Sequence, residues 1–142
     1  MPSRVRQVWL AATAALAPFV LSAQQLHEPT CYDLTYDSIA AAIPRAMLPP
    51  HIKLLPGDSL GRASATRPQS TYILSGYWQR FPTYVFVMLG GGEFDLGFSF
   101  NQRGDTLSGS VDFQEDAIRP GPIPRARVVA TRQPCAELAV AA

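Results

Sequence analysis

The residues able to do chemistry are few, and their spacing is uninformative. Asp112, Glu115 and Asp116 cluster at the end of one apolar-alternating segment, and Glu93 and Asp95 sit together on another. Paired carboxylates across a cleft are the machinery of a glycosidase. These side chains, however, read as a solvated strand face and a loop mouth, where exposed carboxylates are ordinary. A calcium loop would need several oxygen ligands around a glycine-containing turn, and that glycine is missing here. The two histidines, His27 and His51, have no second histidine or cysteine within a few residues, whereas a zinc site needs three or four converging ligands. Ser108-Gly109-Ser110 reads as strand alternation, with no histidine nearby in sequence to activate a serine. Arg103-Gly104-Asp105 spells an adhesion tripeptide but lies where a hairpin turn is expected, and turns favour glycine and aspartate. The expectation is a non-enzymatic protein without metal or cofactor.

The aromatic residues carry more weight. Tyr72, Tyr77, Trp78, Phe81, Tyr84 and Phe86 fall within fifteen residues and on both faces of their segments. Core packing accounts for part of such a set in a small domain. A pocket or patch for an apolar or planar ligand accounts for the remainder, with Tyr72, Trp78, Tyr84 and Phe86 as the candidate ligand-binding residues.

These residues lie in a chain organised for export. Arg4 and Arg6 precede an apolar run over residues 8–21, and Leu21-Ser22-Ala23 offers a small residue for cleavage before Gln24-Gln25. The run is interrupted by Pro18 and is shorter than the roughly 20 residues a membrane helix needs. Residues 1–23 therefore read as a signal peptide and 24–142 as a single exported domain, periplasmic or extracellular, with no membrane span. Ten basic residues against eleven acidic remain beyond Ala23, which gives no basic excess for a nucleic-acid partner. Cys31 and Cys135 are the only cysteines, and in an exported chain they are expected to form a disulfide between the first and last strands.

Period-two alternation dominates from Thr30 onward. Phe94, Leu96, Phe98 and Phe100 alternate with Glu93, Asp95, Gly97 and Ser99. Leu107, Gly109, Val111 and Phe113 alternate with Thr106, Ser108, Ser110 and Asp112. A polar turn containing Gly104 joins the two segments as a hairpin. Segments 71–78 and 83–89 read as a second pair, and the latter is apolar on both faces, so one face should meet something other than water. Segments 31–36, 51–55 and 125–132 complete about seven strands. Residues 39–43 are the one candidate helix, capped by Asp37 or Ser38 and stopped by Pro44. Residues 57–69 and 115–124 read as long surface loops. Consecutive strands with tight turns imply an all-β antiparallel meander that curls into a small closed or nearly closed barrel.

Gly104-Asp105-Thr106-Leu107-Ser108-Gly109 following Phe98-Ser99-Phe100, with Cys31-Tyr32 opening the domain and Arg132-Gln133-Pro134-Cys135 closing it, resembles small exported bacterial β-barrel proteins of loosely lipocalin-like layout. The early glycine-tryptophan motif of true lipocalins is absent, since Trp78 lies mid-chain. The resemblance implies a barrel and assigns no functional residue. Two functions follow as expectations: binding of a small apolar molecule or lipid, or contact with another protein of the cell envelope.

Overall fold

A computed structural model describes residues 28–66, 73–116 and 120–135. Eight antiparallel strands run in chain order around a closed barrel: β1 (Thr30–Asp37), β2 (His51–Leu54), β3 (Leu60–Thr66), β4 (Ile73–Arg80), β5 (Val85–Gly90), β6 (Phe94–Arg103), β7 (Thr106–Glu115) and β8 (Arg125–Gln133). Each strand pairs with its sequence neighbour. Closure comes from β1 against β8, in register from Cys31 opposite Gln133 to Asp37 opposite Arg127. The all-β barrel expected from the alternation is present, with eight strands rather than about seven.

The additional strand is β3, which falls inside the segment read as a loop over residues 57–69. Its inward residues are Ala63 and Ala65, both buried but too small to mark an apolar face in sequence. The candidate helix over residues 39–43 does not form. Five residues ahead of a proline are too few to recover the cost of helix nucleation. Ile43 is instead turned into the core, and a single 3-10 turn follows at Arg45–Met47.

Alternation sorts the side chains cleanly. Phe94, Leu96, Phe98 and Phe100 point inward from β6, and Leu107, Val111 and Phe113 point inward from β7. Other strands supply small inward residues: Ala63 and Ala65 on β3, and on β8 Ala126 and Ala130, which pair with Val111 and Leu107 of β7. Eight strands enclose a space just wide enough for side chains to fill, and the pairing of bulk with small residues fills it here. At Gly76 and Gly109 the neighbouring strand comes so close that a β-carbon would overlap the carbonyl oxygens of Met88 and Ser99, so both positions require glycine for the sheet to bend.

The barrel has two unlike ends. At one, the segment between β1 and β2 closes the opening with buried Ile43, Leu48 and Pro49, supported by Ile39, Ala40 and Met47. The other end gathers Thr30, the β2–β3 loop, the β4–β5 and β6–β7 turns and the Cys31–Cys135 disulfide. The bridge spans 104 residues and links the start of β1 to the chain just beyond β8.

Candidate functional site

Trp78 points inward near the disulfide end, almost fully buried. Its indole N–H donates to the Leu55 carbonyl at 2.8 Å, holding the β2–β3 loop against the mouth of the barrel. Gly61 permits this, because a β-carbon there would collide with the indole. Beside Trp78 lies a cavity of about 30 Å³ floored by Tyr32, Leu54, Val85 and Leu107. Glu28, Arg80 and Gln102 stand at its rim. A space of this size admits one or two water-sized groups.

The aromatic candidates divide between the two faces of the sheet. Trp78 faces in. Val87 is its cross-strand partner on β5, so the flanking Phe86 and Met88 face out. Tyr84 stacks on Phe81 at the β4–β5 turn, with ring centroids 4.5 Å apart and planes 13° from parallel. Phe86 packs on Tyr77 at 6.2 Å, and Phe86 and Met88 both lean over Gly97 of β6. Tyr84, Phe86 and Tyr77 are thus brought together on the outer wall, separate from Trp78. Tyr72 lies outside the described residues.

The outer wall accordingly carries an apolar stripe along β5, from Tyr84 to Met88, about 13 Å long at roughly 3.3 Å per residue. Tyr77 in the stripe is 42% exposed, and Ile73 and Leu60 flank it, both exposed. The border is polar and of mixed sign. Arg62 lies opposite Tyr77 on β3 and Asp95 opposite Gly90 on β6. Asp112, opposite Gly97, accepts two hydrogen bonds from Arg125, at 2.6 and 3.3 Å, which push the guanidinium pKa up.

Of the polar groups singled out in the sequence, Glu93, Asp95, Asp112, Glu115 and Asp116 fall along the paired β6–β7 hairpin, where Asp95 lies opposite Gln114 and the Asp116 amide donates to the Glu93 carbonyl at 3.3 Å. His51 stands apart from them, its Nδ1 lying 2.5 Å from an Asp33 carboxylate oxygen across the β1–β2 ladder. The spacing of 18 residues hides this pair until the register is known. Both side chains are exposed on the outer wall. Such a pair is the orienting half of a catalytic triad, but among the described residues no hydroxyl or thiol hydrogen-bonds to the ring. No group of three histidine, cysteine or acidic side chains among the described residues is arranged to hold a metal. Arg103-Gly104-Asp105 forms the tight β6–β7 turn, with Gly104 at φ 60°, and the Asp105 carbonyl accepts from the Arg132 amide.

No helix among the described residues is long and apolar enough to cross a membrane. A membrane barrel presents an apolar band outside and a polar interior. Here Arg62, Asp112, Arg125 and Arg127 project from mid-wall or strand-end positions while the interior is apolar.

The architecture defines the class: a disulfide-bonded, eight-stranded up-and-down β-barrel with a filled interior. No family model matches the chain, and comparison with curated proteins and with solved structures finds no match.

Proposed function

We propose that this protein is an exported, non-enzymatic interaction module that docks another protein on the outer wall of β4 to β6. The observation carrying this reading is strand β5, whose Val85, Val87 and Leu89 fill the core while Phe86 and Met88, preceded by Tyr84 in the β4–β5 turn, form an apolar stripe on the opposite face. Interface cores are enriched in tyrosine, phenylalanine, methionine and arginine and are ringed by polar groups. Tyr77, Phe86, Met88 and Arg62 match that composition, and the ring here includes Asp95 and Asp112 as well as arginines. A lipid surface is a poorer fit, because it would call for a basic border. The filled interior weighs against an enclosed apolar ligand, since pockets for such ligands run to about 300 Å³ or more.

The test is site-specific photo-crosslinking in the exporting cell, with the reactive group at position 86 or, on the far wall, at position 35. The reading expects a discrete heterologous adduct from position 86 that is lost when Tyr77→Ser is added and is absent from position 35. Equal adducts from both positions, none from either, or an adduct containing only two copies of this chain would overturn it.

A further inference from the structure

The mouth of the barrel at the disulfide end holds a group with no evident structural employment. Tyr32 is inward-facing and 9% exposed, and its hydroxyl makes no hydrogen bond among the described residues. Leaving a buried hydroxyl unpaired costs about 1–3 kcal/mol, so a fold normally supplies a partner or replaces the residue with phenylalanine. Tyr36, four residues on along the same inward face, has such a partner in the Pro49 carbonyl at 2.6 Å. Tyr32 instead faces the 30 Å³ cavity beside Trp78.

Of two guanidinium groups at this mouth, Arg80 lines that cavity and Arg132 lines the open depression beside it. Arg132 lies directly across the β1–β8 ladder from Tyr32, and Arg80 continues the inward row of β4 beyond Trp78. Neither forms an ion pair among the described residues. Burial raises the pKa of the phenol, the fields of Arg132 and Arg80 lower it, and Asp105 acts against them with the smallest effect. At the hydroxyl the fields of the two arginines each exceed that of Asp105.

We infer that the mouth is a binding site for the carboxylate end of a small organic acid, held by the Tyr32 hydroxyl together with Arg80 and Arg132 over the indole of Trp78. Three donors around an apolar floor suit a planar oxyanion whose next carbons are aliphatic, because guanidinium pairs with carboxylate through charge-assisted hydrogen bonds. The cavity admits the carboxylate and little more, so the remainder of the acid lies outside it. An open depression of about 570 Å³ adjoins the mouth, sharing Glu28 and Thr30 with it and bounded further by Arg132 and the Cys31–Cys135 bridge. This site is separate from the outer-wall stripe and stands or falls independently of it.

Hexanoate is the probe, read by the indole N–H signal of Trp78 in the ¹⁵N-labelled, disulfide-bonded protein, with hexanol, hexylamine and inorganic phosphate titrated in parallel. A saturable shift with hexanoate at about millimolar affinity is expected for so few contacting atoms, with no saturable shift from the other three. Arg80→Gln and Arg132→Gln should each weaken binding about tenfold and Tyr32→Phe roughly fivefold. Glu28→Gln should strengthen it, and Arg103→Gln, in the neighbouring turn but outside the cavity lining, should leave it unchanged. Unchanged circular dichroism and thermal midpoints establish that the variants are folded. Equal response to hexanol, hexylamine or phosphate, insensitivity to the Arg80, Arg132 and Tyr32 substitutions, or no response to hexanoate at all would overturn the assignment.

Discussion

Tyr36 donates its hydroxyl to the main-chain carbonyl of Pro49 at 2.6 Å, tying the last turn of β1 to the segment that closes the barrel opposite the disulfide. The phenol is largely buried, and burial pushes its pKa well above the ordinary value. In the unfolded chain it ionises near pH 10. Below pH 10 both states are protonated and the contribution to stability is constant. Above it the unfolded state releases a proton that the folded state retains, so stability falls as pH rises, with a slope approaching about 1.4 kcal/mol per pH unit for one such group. Tyr32 acts in the same direction through its own burial, opposed in part by Arg132 and Arg80.

Replacing Tyr36 by phenylalanine should therefore have two separable effects. At pH 7 it leaves the Pro49 carbonyl without this donor and should cost about 1–3 kcal/mol in urea unfolding. Between pH 9.5 and pH 11 the variant should lose stability less steeply than the parent, because one ionising group has been removed. Parallel pH curves for the two proteins would show that Tyr36 is not a source of the alkaline sensitivity.

Removing the disulfide tests what closes the barrel. Because β1 and β8 are hydrogen-bonded from Cys31 and Gln133 to Asp37 and Arg127, the ladder closes the sheet and the bridge only fastens one end. The Cys31→Ser/Cys135→Ser double variant should keep the β-sheet circular dichroism of the parent at 25 °C. Its stability should fall by roughly 2–5 kcal/mol, the range for removing a bridge that closes a long loop. Loss of the folded signal at 25 °C would mean that the ladder cannot hold the barrel unaided.

Two glycines on one hairpin should respond oppositely to alanine. Gly109 faces inward, and an added methyl would overlap the Ser99 carbonyl oxygen, so Gly109→Ala must open the β6–β7 ladder and should cost several kcal/mol. Gly97 faces outward, and a β-carbon there would meet Met88 and Phe86 at ordinary van der Waals distances of 3.7–3.8 Å. Gly97→Ala should be neutral or stabilise by up to about 1 kcal/mol, since glycine weakens a strand interior. Thermal unfolding of the pair reads both signs at once.

Trp78→Phe should destabilise by about 2–4 kcal/mol, combining a lost donor to the Leu55 carbonyl with the void left by the smaller ring. Hydrogen exchange should quicken at the Leu55 amide, which donates to the Arg62 carbonyl, as the β2–β3 loop loosens. Protection unchanged at Leu55 would show that the loop is held without the indole.

Much of this fold is legible in the chain because a strand with one buried face must alternate, and Phe94 to Phe100 and Leu107 to Phe113 do so with large apolar residues. Gly104 marks the turn between them for an equally local reason: its φ of 60° is one that side chains resist. Strand β3 is illegible because its inward residues are Ala63 and Ala65, chosen by the bulk of Phe98, Phe100 and their neighbours across the barrel rather than by any local preference. The doubly apolar character of residues 84–89 announces in sequence that β5 has a second face to satisfy, and the outer stripe of Tyr84, Phe86 and Met88 is that face.

The sequence by itself determines the all-β class, the inward and outward sides of each strong strand, and the availability of one cysteine pair. Register and closure belong to the tertiary structure. They alone decide that Trp78 and Phe86 lie on opposite walls of the sheet, that His51 meets Asp33, and that Tyr32 shares a mouth with Arg80 and Arg132. The physical reason is that alternation is a property of one strand and is written locally. The pairing of strands far apart in the chain depends instead on how the entire interior fills, and no short stretch of residues encodes that.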